Sequence, residues 1–199
     1  TETHDMARAG LTTQRLTLEA ADLADEAGFA AVTPAALARR VGVRPASLYS
    51  HLRDADDLRT RVALLALEEM ADRVGAAVAG RAGKDALVAF GGAYRDYARE
   101  HPGRYDAARL RLDPATAAAS AGPRHAELAR AVLRGYDLTG EDQTHAVRLL
   151  GSVFHGYTSL EAAGGFGHSS PDSDTTWRRT LDALDVLLRR WPDPTQETP

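Results

Sequence analysis

The chain has 199 residues, 44% hydrophobic and 26% charged, with a formal net charge of −4 at pH 7. It has no cysteine, which excludes disulfides, thiolate metal sites and a cysteine nucleophile. No leader-like segment and no run of about 20 apolar residues is seen, so a cytoplasmic location with no membrane partner is expected.

Residues 1–10 lack an apolar period and are expected to be a flexible arm. From Thr12 a helical pattern begins, with Leu16, Ala20, Leu23, Ala24 and Ala27, and Gly28 is placed to end it. In "VTPAALARRVG" Thr33 can cap, Pro34 suits the first helical position and Gly42 stops the helix. "VRPASLYSHLR" then reads as an eight-residue helix from Pro45, with Leu48 and Leu52 buried at i, i+4. "DADDL" gives the next helix, about 55–78, an acidic start that suits its dipole. A break near 79–85 is followed by helical patterns near 84–100, 124–137, 141–163 and 174–190. A short helical piece can follow Pro102. The alanine-rich 113–123 reads as a mobile connector, 164–174 as a Gly/Ser loop, and 192–199 as a disordered tail. No β alternation and no internal repeat occurs, so the fold class is all-α.

On the helix after Pro45, the leucines point inward. Pro45, Ala46, Tyr49, Ser50 and Arg53 then share the outer face, small near its start and basic near its end. A short helix docked on another across a Gly turn is helix-turn-helix geometry, and a reading helix must enter a groove roughly 12 Å wide. Arg44 could reach guanine and Ala46 a thymine methyl, with Ser47 on the same entry turn. Tyr49, His51 and Arg53, with Thr33 at its helix N-terminus, suit phosphates. The rival reading is a solvated helix. Against it, no acid occurs from Thr33 to Arg53, while Asp22, Asp25 and Glu26 precede and Asp54, Asp56 and Asp57 follow. A solvated face normally mixes signs.

"GFAAVTPAALARRVGVRPASLYSHLRDADDL", residues 28–58, resembles the N-terminal domain of the TetR (tetracycline-repressor-type) family. Two positions depart from that pattern. Arg44 stands where a serine or threonine usually opens the recognition helix, and Ala55 where a phosphate-binding lysine is usual. "FHGYTSLEAAGGF", 154–166, resembles the Trp-His-Gly segment of one C-terminal subclass, with Phe154 in the tryptophan position. The resemblance implies a helix-turn-helix domain over 11–58 and a ligand-binding, dimer-forming domain over 59–191, bridged by the 55–78 helix. It also implies double-stranded operator DNA, a second copy of the chain and a small-molecule effector as partners.

Spacing also points to a homodimer. Trp177, Leu181, Leu184, Leu188 and Trp191 follow a 4, 3, 4, 3 seam, and Ser152, Gly156, Ser159 and Ala163 form a strip of small residues that lets helix axes approach. Both sets could instead bury within one chain. Leu87, Phe90, Tyr94, Tyr97 and His101 fall on one helical stripe. The stripe reads equally as core or as pocket lining, with Tyr105 and Phe154 as further ligand candidates. No two of the seven histidines are spaced i, i+3 or i, i+4, and no P-loop or nucleophile elbow appears. No catalytic residue, metal site or cofactor is therefore expected. The leading reading is a ligand-responsive DNA-binding regulator, a repressor by preference. The alternatives are a constitutive ligand-free helix-turn-helix protein and, remotely, a small helical enzyme.

Overall fold

The structure, a computed structural model, describes residues 11–191, so both expected tails lie outside the described residues. Ten α-helices and no strand occur among the described residues. They are α1 Thr13–Ala27, α2 Pro34–Arg40, α3 Pro45–Leu48, α4 Ala55–Val78 and α5 Gly83–Glu100, then α6 Pro102–Ala107, α7 Pro114–Ala119, α8 Gly122–Leu133, α9 Gly140–Ala162 and α10 Ser173–Arg189. The domains expected from the sequence divide the chain by role. By packing, it divides into a first unit, up to Ala71 plus Glu100–Gly122, and a second, Asp72–Arg99 plus the chain from Pro123.

The first unit is built on the expected caps. The Thr12 hydroxyl accepts from Arg15 N at 3.1 Å, and Gly28, at φ 86°, closes α1 by donating to Ala24 O. Leu16, Ala20, Ala21 and Ala24 bury one face of α1 against Leu37, Leu48, Leu52, Leu58 and Val62. Ala107 of α6 belongs to the same core, and Leu110 packs on it.

The approach of α6 to α1 explains why a segment so far along the chain joins this unit. A Cβ on Gly103 would sit 1.9 Å from the Ala24 carbonyl oxygen, so only glycine allows the contact. Arg104, buried beside it, donates its backbone N–H to Asp25 Oδ1 and pairs through its guanidinium with Asp22 and with Glu69 at 3.0 Å. Its Nε lies 3.0 Å from Asp25 Oδ2 but is not aligned for a hydrogen bond. Burial lowers the Arg104 pKa, but Glu69, Asp25 and Asp22 reverse the effect and hold it above its ordinary value. Removing one partner of such a cluster leaves an uncompensated buried charge.

In the second unit α5, α9 and α10 meet at Gly91, where a Cβ would lie 2.9 Å from Leu181 and 3.0 Å from the Phe154 ring. Arg95, buried, pairs with Glu161 at 2.6 Å and with Asp174 at 2.8 Å, while Arg99 reaches the same two acids at 2.9 Å. Burial alone would raise the Glu161 pKa, but Arg95, Ser173 and Arg99 hold it down at about 2. Trp177, Leu181, Leu184 and Leu188 are only 4%, 2%, 6% and 1% exposed in the single chain. Their seam is therefore filled by their own unit, which corrects the expectation that it faces a second copy.

The alanine-rich segment expected as a connector contains a helix, α7. Asp113 accepts from Ala115 N and Thr116 N, both at 3.1 Å, and Pro114 fills the first position of an alanine run with high helix propensity.

Candidate nucleic-acid interface

Thr33 starts the site. It caps α2 by accepting from Ala36 N at 3.2 Å, and Pro34 follows at the first helical position. Leu37 and Ala38 are buried, Val41 N closes on Leu37 O, and Gly42 turns the chain at φ 71°. Val43 N then reaches Ala38 O at 3.0 Å, and α3 begins at Pro45.

Leu48 and Leu52 are 0% and 3% exposed. Because they anchor α3, the intervening positions turn outward: Arg44, Pro45, Ala46, Tyr49, Ser50 and Arg53 are exposed, and Ser47 and His51 half-buried. The regular helix is shorter than expected and stops at Leu48. The Ser50 hydroxyl bonds back to Ser47 O at 2.9 Å, a local bond that competes with helix continuation. Leu52 N still reaches Leu48 O at 2.9 Å, so the turn keeps both leucines in the core.

The electrostatics refine the acid-free window. Arg40 is tied to Glu19 and Glu26 at 2.9 and 2.7 Å, so the acids before the window neutralise one of its arginines. Arg53 keeps 82% of its side chain exposed while contacting Asp57 at 3.3 Å. Asp57 is a residue that sequence reasoning missed. It is 6% exposed, accepts from Arg53 N at 3.1 Å and Arg61 Nε at 3.1 Å, and donates its own N–H to Asp54 Oδ1 at 2.7 Å. Burial would raise its pKa, but the Arg53 N–H and the Arg61 guanidinium hold it below the usual value. Asp54 caps the Asp57 N–H while the Asp57 carboxylate accepts from Arg53 N, which fixes Arg53 at the end of the outer face. The D-x-x-D spacing at 54–57 was the signal for it.

The ligand candidates are not brought together as one group. Phe90 and Tyr97 are buried and Tyr94 half-buried on α5, and Phe154 of α9 joins them with ring centroids 5.8 Å from Phe90 and 6.2 Å from Tyr94. Trp177 continues the cluster 5.5 Å from Phe154. Tyr94 Oη lies 2.5 Å from His125 Nδ1, a contact with α8 that the stripe did not suggest. His101 and Tyr105 belong to the first unit, because α5 ends at Glu100, and His101 Nδ1 is 2.9 Å from Asp25. In the small-residue strip on α9, Ser152, Ser159 and Ala163 are exposed and Gly156 half-buried.

Comparison with known proteins decides what this scaffold is. Residues 87–184 match the family described as "Tetracyclin repressor-like, C-terminal domain". The HTH-type transcriptional regulator YobS of Bacillus subtilis is 31% identical over 159 residues, which cover 80% of this chain and 83% of YobS. The chain belongs to the TetR family of transcriptional regulators. The HTH-type transcriptional regulator Rv0681 of Mycobacterium tuberculosis is 38% identical over 144 residues, covering 70% of this chain and 65% of Rv0681. For the fold, the TetR-family protein ActR of Streptomyces coelicolor, solved in complex with (S)-DNPA, superposes with a TM-score of 0.64 at 20% identity, covering 92% of this chain and 98% of ActR. As a TetR-family member the protein is a DNA-binding regulator and not an enzyme. Among the described residues no helix is long and apolar enough to cross a membrane.

Proposed function

We propose that this TetR-family protein is a cytoplasmic repressor that binds a palindromic operator as a homodimer and is released by a small molecule. The observation that carries the reading is the outer face of 44–53: exposed, acid-free, small at its entry and anchored by two buried leucines. In the proposed complex Arg44 makes a forked contact to guanine, and Pro45, Ala46 and Ser47 approach the base edges without bulk. Thr33, Tyr49, Ser50, His51 and Arg53 hold phosphates and fix register.

Two half-sites require two copies. The proposed interface combines Ser152, Gly156 and Ser159 of α9 and its C-cap Ala163 with Thr176, Thr180, Ala183 and Leu187 of α10. The α10 residues repeat at spacings of 4, 3, 4 on the face adjoining the Trp177–Leu184 stripe, and Leu187 is 40% exposed.

For the effector we propose an aromatic or apolar molecule held against Phe90, Tyr97 and Phe154, with the Tyr94–His125 pair supplying polar contacts. That ActR, of the same fold, was solved with a small molecule supports an effector of that general kind. His101 and Tyr105 drop out of this proposal, since they pack with the first unit.

Selection of bound duplexes from a randomised pool tests the reading. The expected product is a two-fold symmetric sequence whose half-sites lie about 34–36 Å apart. Enrichment of an asymmetric single site, or of nothing, would refute it.

A further inference from the structure

The arginines of the first unit separate by whether an acid holds them. Arg40, Arg53, Arg61 and Arg104 are ion-paired. Among the described residues, Arg39, Arg44, Arg59, Arg109 and Arg111 are not. Arg39 and Arg44 belong to the face already described. The other three gather elsewhere. Arg59 and Arg111 line a groove of about 390 Å³ with Asp56, Thr60 and Asp113, and Arg109 stands two residues before Arg111.

We propose that this groove is a second DNA contact, in which Arg59 and Arg111, with the exposed Arg109 at the edge of the same loop, hold phosphodiester oxygens of the duplex beside the base pairs that Arg44 reads. The proposal rests on the DNA-binding reading above.

Position supports it. One wall of the groove is the first two turns of α4, and that helix begins two residues after Arg53. Arg53 in turn contacts Asp57, the neighbour of the groove residue Asp56. Rigidity supports it as well. Leu110 packs on the core, its N–H bonds Ala107 O at 2.9 Å, and Arg109 N bonds Asp106 O at 3.1 Å. With Leu110 turned in, Arg109 and Arg111 on either side are exposed, and Asp113 pins the end of the loop by capping α7. Less side-chain and loop entropy is then lost when a phosphate binds.

Two acids, Asp56 and Asp113, share the lining with Arg59 and Arg111. The Asp113 carboxylate is engaged by the Ala115 and Thr116 amides, whose helix N-terminus offsets its charge. Asp56 is the acid of the lining not engaged in that way, beside two arginines in the same lining. Arg59 lies over the Phe29 ring, 4.7 Å from its centroid, and its Nε is buried with no hydrogen-bond partner among the described residues. The stacked position holds the Arg59 side chain in place at the groove, and arginine meets phosphate oxygens with two parallel bonds.

The test is a titration of the homodimer on the selected operator and on a scrambled duplex, each about 30 base pairs, read by fluorescence anisotropy at about 50 to 200 mM salt. The double variant Arg109→Ala with Arg111→Ala should weaken binding about equally on both duplexes. The slope of log affinity against log salt should fall by about 0.9 for each phosphate no longer neutralised. Arg111→Lys, with the charge kept, should retain most of the slope. Arg130→Ala, an exposed arginine of the second unit, should leave it unchanged. An unaltered slope in the double variant, with Arg44→Ala still weakening operator binding, overturns this inference and leaves the DNA-binding reading standing. A wild-type protein that binds neither duplex overturns both. Inorganic phosphate at constant ionic strength separates the sources of the anion. If it weakens DNA binding by wild type only as much as by the double variant, the groove belongs to DNA. If it protects the wild type alone against heat, the arginines serve a free anion and the DNA assignment fails.

Discussion

Gly103→Ala and Gly92→Ala make the same chemical change in helices of this protein, and the structure gives them opposite signs. At Gly103 the new methyl would lie 1.9 Å from Ala24 O, 2.1 Å from Ala24 C and 2.6 Å from Asp25 N. All three are backbone atoms, so no side chain can swing aside. Relief requires α6 to retreat from α1 by well over 1 Å, given that ordinary carbon contacts lie near 3.5–4.0 Å. That movement also stretches the Arg104 N–H bond to Asp25 and the Arg104 pairs to Asp22 and Glu69. Overpacking costs about 1–3 kcal/mol, and with the charge cluster disturbed the upper end is expected. For a chain of this size about 3 kcal/mol lowers Tm by roughly 6–12 °C. At Gly92 of α5 nothing lies within 4 Å of where the new methyl would sit, and alanine should stabilise the helix by about 1 kcal/mol, roughly 2–4 °C. Thermal denaturation followed by circular dichroism measures both. If Gly103→Ala melts with or above wild type, the α1–α6 contact is not as close as described and the case for a single first unit fails.

Arg44→Ala should relax sequence preference, costing about 1–3 kcal/mol at one base pair of each half-site, whereas Tyr49→Phe and Arg53→Ala should weaken all duplexes alike; paired titrations on specific and scrambled DNA distinguish them. Gly156→Leu with Ala183→Glu should give a folded monomer by light scattering, while Trp177→Asp should unfold the chain because that ring is core. Glu161 titrates at about 2 against an ordinary value of 4.5. Its depressed pKa contributes stability that is complete above about 4.5 and is lost as pH falls toward 2, so Tm should drop across that window less steeply in Glu161→Gln. Tyr94→Ala should blunt effector release while DNA binding by the free protein stays close to wild type, measured by operator titration with and without effector.

What was legible in the sequence was local. Thr12, Gly28, Thr33 and Gly42 act as caps and stops through bonds to residues within four positions, so their pattern alone placed α1 and α2. Leu48 and Leu52 were legible because i, i+4 burial survives even where the regular helix ends. The charge partners were not legible. Arg40 meets Glu19 and Glu26 across a helix pair, and Arg104 meets Asp22 across 82 positions of sequence, a separation no periodicity encodes. The seam at Trp177 shows the remaining ambiguity. A 4, 3, 4 pattern says that a helix buries a stripe, but not whether the cover comes from its own chain. Here Phe154 and Gly91 supply it, and the outward stripe with Thr180 and Leu187 was too mixed in polarity to stand out.

Chain connectivity between the two units offers the proposed effector response a route. The chain passes between them three times, within α4 at 71–72, at 99–100 and at 122–123. A bridge through α4 alone would let each unit shift along one helix. The second crossing is different, because Glu100, the last residue of α5, already belongs to the first unit and α6 follows after His101. In the proposed repressor an effector held against Phe90, Tyr94 and Tyr97 would act on α5, whose last residue leads through His101 to Gly103 and Arg104. Gly103 has no slack against Ala24. Arg104 holds α1 through Asp22 and Asp25 and α4 through Glu69, so both helices must follow or the cluster must break. Breaking it strands buried charge, which makes movement as a body the less costly outcome. In the proposed dimer a first unit moved as a body would carry its recognition face with it, and a small change in a spacing that must match about 34–36 Å would favour release. Linkage would then require operator DNA to weaken binding of the proposed effector by the same factor, about 5- to 150-fold for a typical coupling of about 1–3 kcal/mol.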